Sequence, residues 1–126
     1  MEVEMLVEFR GDHIYIRHGT EMEINPDSMT LLWQKIGQLC RQYSCGKILI
    51  EGTSPKRRMD TINAFESGVE AAEVYPDLWI ALCLHDYEPD EISDLFVTAA
   101  RNRGARVKFF SSIGPALRWL GVSAAA

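Results

Sequence analysis

The sequence predicts one α/β domain, a mixed sheet of about five strands with an N-terminal hairpin and four helices. Residues 78–84, Leu-Trp-Ile-Ala-Leu-Cys-Leu, form an apolar run too short to span a membrane and suited to a strand covered on both faces. A helical pattern follows and closes at Asn102-Arg103-Gly104. A second apolar run, Val107-Lys108-Phe109-Phe110, then precedes a helix carrying Ala116, Leu117, Trp119 and Leu120. Strand, helix, strand and helix with short joints make the βαβ unit of a parallel sheet.

Each earlier element has its own signal. Val3, Met5, Val7 and Phe9 alternate with polar residues, and Arg10-Gly11-Asp12 supplies turn chemistry. Ile14 and Ile16 resume the alternation against His13, Tyr15 and Arg17, which predicts a hairpin with one covered face and one wet face at an edge of the sheet. Asn25 and Pro26 read as the cap and first position of a helix. Met29, Leu32, Trp33, Ile36, Leu39, Cys40 and Tyr43 give it a single apolar stripe up to Ser44-Cys45-Gly46. Residues 47–51 read as a buried strand. Gly52-Thr53-Ser54-Pro55 is expected to open the second helix, with Met59, Ile62, Phe65, Val69 and Ala72 inward and Tyr75-Pro76-Asp77 as its stop. In the third helix Ile92, Leu95, Phe96 and Ala99 face inward, and Gly104 is its left-handed cap. Ser111 and Ser112 can cap the fourth, which ends at Gly121; residues 122–126 are expected to fray. Trp33, Trp79 and Trp119 are read as packing anchors.

A chain of 126 residues fits one domain, assigned to residues 1–121. Thirteen Lys and Arg against eighteen Asp and Glu give a net charge of −5, which argues against nucleic-acid or anionic-membrane binding. No apolar run approaches the roughly 20 residues of a membrane span. The start, Met-Glu-Val-Glu-Met, lacks the pattern of a signal peptide, so the expected location is cytoplasmic. Cys40, Cys45 and Cys83 form no disulfide framework; Cys45, beside Gly46, is the one placed to react. No cofactor is implied.

In an open α/β sheet, ligands bind beyond the carboxyl ends of the strands. Those ends carry Glu51-Gly52-Thr53-Ser54, His85-Asp86-Tyr87 and Ser111-Ser112. Lys56, Arg57 and Arg58, placed in the first turn of the expected second helix, oppose its dipole by about 0.3–1 kcal/mol each. With Thr53 and Ser54 they would form an anion pocket; a solvated cluster neutralised by Glu51 or the acidic loop at 86–88 is the alternative. His85 beside Asp86 and Tyr87 could be a general base, although adjacent loop residues rarely orient one another. His13 and His18 fall on opposite faces of a strand, and no histidine pairs with a cysteine at zinc spacing, so no metal site is expected. No nucleophile elbow or glycine-rich phosphate loop is present. The binding candidates are Thr53, Ser54, Lys56, Arg57, Arg58, His85, Asp86 and Tyr87; no catalytic residue is assigned.

The segments Trp79-Ile80-Ala81-Leu82, Ala100-Arg101-Asn102-Arg103-Gly104, Val107-Lys108-Phe109-Phe110 and Ala116-Leu117-Arg118-Trp119-Leu120 resemble the C-terminal half of bacterial SpoIIAA-like proteins of the STAS/SEC14-like group. The resemblance implies a STAS-like sheet. It also implies, for the anti-sigma antagonist branch, a regulatory protein partner and phosphorylation of a Ser or Thr in an Asp-Ser-Ser-Gly-type motif. Glu51-Gly52-Thr53-Ser54-Pro55 stands where that motif would be, and the motif itself is absent. Phosphate on Thr53 or Ser54 would still meet the charges of Lys56 and Arg57. The expected function is a non-enzymatic regulatory module docking a protein or an anionic ligand at these loops. The alternative is small-molecule or lipid binding, or weak hydrolysis, in the same crevice. The exposed hairpin edge allows a homodimer.

Overall fold

In the computed structural model, which describes residues 5–18, 26–52, 60–85, 88 and 90–122, the hairpin leads into three successive βα crossovers. Strands β1 (Met5–Phe9) and β2 (Ile14–His18) pair antiparallel. Helix α1 (Pro26–Tyr43) leads to β3 (Lys47–Gly52), α2 (Thr61–Glu73) to β4 (Trp79–Leu84), and α3 (Glu91–Arg101) to β5 (Arg106–Phe110). Strands β2 to β5 are parallel, and the sheet order is β1-β2-β3-β4-β5. The chain therefore always steps in one direction across the sheet. Right-handed crossovers that never reverse direction put their helices on one face, and α1, α2 and α3 share one apolar layer with Ile14, Ile16, Ile48, Ile50, Ile80 and Val107. The last helix, α4 (Ile113–Leu120), covers the other face with Ala116, Leu117 and Leu120 on Leu49, Ala81 and Cys83.

The predicted fold class, helix count and leading hairpin agree with this architecture, and β1 lies at an edge. Trp33 is buried under α1, where it stacks on Phe96 at 5.8 Å and donates from Nε1 to Ser67 Oγ at 2.8 Å. Trp79 and Trp119 meet at 5.1 Å on the α4 side.

Three expectations fail. First, α2 opens at Thr61, not near Pro55, because the Asp60 carboxylate accepts from the Asn63 N–H at 2.8 Å and caps the helix there. Lys56, Arg57 and Arg58 precede that cap, so they do not occupy its first turn. Second, the inner face of α2 consists of Ala64, Ser67, Gly68 and Ala71; Ile62 is 70% exposed and Phe65 41%. Small residues let α2 approach α3 so closely that a Cβ on Gly68 would lie 2.5 Å from the Phe96 carbonyl oxygen. Third, the polar side of β2 is only partly wet: Arg17 is exposed, but the positions before it are not. His13 and Tyr15 are buried, Tyr15 in the α4-side layer with the Arg10 guanidinium 4.0 Å over its ring. At α4, Ser112 is the N-cap residue but its hydroxyl makes no cap hydrogen bond. Asn25 and residues 123–126 lie outside the described residues.

Candidate functional site

Side chains from β2, from β3 and from the residue that follows β4 meet at the carboxyl end of the sheet, on the face that α4 shares. Register explains the meeting: Arg17 pairs with Glu51, and Glu51 pairs with Cys83. Residues 15, 17, 51 and 83 therefore project from the same side of the sheet. His85 follows the last residue of β4, with its N–H donating to the Gly52 carbonyl at 3.3 Å, and extends that row by one step.

Glu51 is the hub. The Tyr15 hydroxyl donates to Glu51 Oε1, and His85 Nε2 lies 2.6 Å from Glu51 Oε2. The carboxylate is 21% exposed and the imidazole 47%. Burial acts to raise the Glu51 carboxyl, but the hydrogen bonds from Tyr15 and His85, aided by the nearby charges of His85 and Arg17, prevail and hold it below its ordinary value. The same contacts act in reverse on Tyr15: burial first, then the bond to Glu51 and its negative charge, push the phenol up to about 12. Burial, with a contribution from Glu51, also raises the Cys83 thiol to about 11. A thiol so placed is a packing residue, not a nucleophile.

Because an ionised carboxylate only accepts, Nε2 of His85 must carry the proton it shares with Glu51. In its neutral form the ring then keeps its lone pair on Nδ1. Among the described residues Nδ1 makes no hydrogen bond, so a half-exposed imidazole of fixed tautomer stands at the strand ends. A fixed imidazole of this kind can accept a proton, attack an electrophile or hold a polar ligand.

No family model, curated protein or solved structure matches the chain. What the site can do follows from its own geometry. Of the eight residues proposed from sequence, His85 falls at the centre of this cluster. Thr53, Ser54, Lys56, Arg57, Arg58, Asp86 and Tyr87 lie outside the described residues. In the sequence His85 has only its neighbours at 86 and 87 beside it, and adjacent loop residues rarely orient one another. The partner is Glu51, from the adjacent strand and 34 positions away. Tyr15 and Arg17 were missed as well. The available signal was a single acid closing the apolar strand Ile48-Leu49-Ile50-Glu51, a position where an unpaired charge would be costly. Among the described residues no group of three or more His, Cys, Asp or Glu could hold a metal ion, and no helix is long and apolar enough to cross a membrane.

Proposed function

We propose that this chain is a non-enzymatic regulatory or binding module of SpoIIAA-like type that docks a protein partner through an anionic group at the carboxyl ends of β2, β3 and β4. The observation that carries the reading is the pair of Glu51 and His85. The acid at the strand ends is occupied by the chain's own Tyr15 and His85. Two of its acceptor positions are thus already used within the site, next in sequence to the cations at positions 56–58. Arg17 adds a further positive group in the same row. A sheet whose crossovers never reverse direction also has no switch-point crevice, which favours a docking surface over an enclosed ligand cleft.

An NMR titration tests this. Inorganic phosphate or an acidic peptide should shift the amides of Arg17, Gly52, Thr53, Ser54, residues 56–58 and His85, and Lys56→Ala/Arg57→Ala/Arg58→Ala should remove those shifts. Absence of shifts at these positions overturns the reading. A weak hydrolase is the second reading, supported by the carboxylate-held imidazole; ester hydrolysis abolished by His85→Ala would favour it.

A further inference from the structure

We propose that His85 is a phosphoryl acceptor, taking a phosphoryl group on Nδ1 from an acyl-phosphate donor while Glu51 holds Nε2. The inference deepens the docking role above and rests on the same surface being the working one.

The contacts of His85 set the direction of the chemistry. With Nε2–H donated to Glu51 Oε2 at 2.6 Å, the free lone pair belongs to Nδ1. The side chain is half-exposed, so a donor can reach it. In the transfer, the Nδ1 lone pair attacks phosphorus and an N–P bond forms. The P–O bond to the acyl oxygen breaks, and its electron pair leaves on the carboxylate product. No proton has to depart, because Nδ1 carries none. The phosphorylated ring gains positive charge and retains its Nε2 proton, against which Glu51 already lies. Glu51 is therefore a positioning residue: it selects the attacking nitrogen and stabilises the cationic ring. Tyr15 fixes the other carboxylate oxygen and keeps Glu51 from rotating away. Arg17, beside Glu51 in the strand register, offsets the added phosphoryl charge. The buried Cys83 is the other nucleophilic atom type in this row, and its burial and high thiol value remove it as a competitor.

Incubation of the intact chain with acetyl phosphate, followed by phosphorus NMR and mass mapping, tests the assignment. The expected product is an acid-labile, alkali-stable phosphohistidine at His85, formed faster than on N-acetylhistidine or on the urea-unfolded chain. His85→Asn should abolish it. Glu51→Gln should slow it by about tenfold or more, as loss of an orienting partner does, with the circular dichroism spectrum unchanged. Tyr15→Phe leaves the bond from Nε2 intact and should slow it less than Glu51→Gln does. No label at His85, labelling no faster than on the unfolded chain, or an unaltered rate in folded Glu51→Gln overturns the proposal. The titration above reads docking separately: labelling without docking removes only the docking reading, and docking without labelling removes only this one.

Discussion

Tyr15 and Glu51 stabilise one another through a bond whose loss is not symmetric. Tyr15→Phe removes one donor from a carboxylate that keeps His85, and the expected cost is about 1–2 kcal/mol. Glu51→Leu leaves the buried Tyr15 hydroxyl without its partner and should cost more, about 2–3 kcal/mol. In a double-mutant cycle followed by urea unfolding, the two changes should couple by at least about 0.5 kcal/mol. Independent effects would mean the bond contributes nothing. The pH dependence has two arms of opposite sign. Glu51 has a folded value below its ordinary 4.5, so its contribution is present above that value and is lost as pH falls through the folded one. Tyr15 is raised from 10.0 to about 12, so its contribution is present below 10.0 and is lost as pH rises toward 12. Glu51→Gln should flatten the acid arm and Tyr15→Phe the alkaline arm. The reason this cluster was only partly legible in the sequence is also set at this scale. His85 stood out by its type and place, but hydrogen bonds between residues 15, 51 and 85 depend on strand register, which no local pattern encodes.

Element by element, apolar periodicity located what it could weigh. The stripe on α1, from Met29 to Tyr43, carries large side chains at regular spacing, and those residues line the helix layer. The same rule misread most of the inner face of α2, although Ala72 does pack against the core. It ranked Ile62 and Phe65 above Ala64, Ser67, Gly68 and Ala71, whereas the contact with α3 needs small residues. A Cβ on Gly68 would meet the Phe96 carbonyl oxygen at 2.5 Å and Ala99 Cβ at 2.9 Å. Both belong to the facing helix, one of them to its backbone, so the helices would have to separate. Gly68→Ala should therefore destabilise by about 1–3 kcal/mol, although alanine in an exposed helix would gain about 1 kcal/mol over glycine. Ile62→Ser should change stability by no more than about 0.5 kcal/mol. Thermal unfolding of the two variants distinguishes the faces; the opposite ranking would restore the apolar-stripe reading. The start of α2 was misplaced for a related reason. Gly52-Thr53-Ser54-Pro55 has the composition of a helix opening, but Asp60 offers a carboxylate to Asn63 and fixes the boundary later.

Across the whole molecule, the one-directional sheet divides the interior into two unequal layers, and the layers hold different thiols. Cys40 lies in the layer under α1, α2 and α3 and Cys83 in the layer under α4, both fully buried, whereas Cys45 is half-buried beside the hairpin turn. Ellman's reagent should therefore titrate Cys45 in the native chain and spare the other two. The fold class needed only the alternation of strands and helices to be read; which face each helix covers follows from the order of strands, which the sequence pattern does not state. The consequence is that, among the described residues, one eight-residue helix, Ile113–Leu120, packs on that side of β3 to β5, where Arg106 and Lys108 stay exposed. Its Leu117 and Leu120 are nearly inaccessible, and Leu117→Ala should cost about 2–5 kcal/mol. Because α4 packs on only one face of the sheet, that loss should favour its detachment before global unfolding. Cys83 would then become reactive while Cys40 stays protected, measured by alkylation under native conditions and mass mapping. Equal acceleration of both thiols would mean that the two layers open together and that α4 is not a separate cover for the Glu51 face.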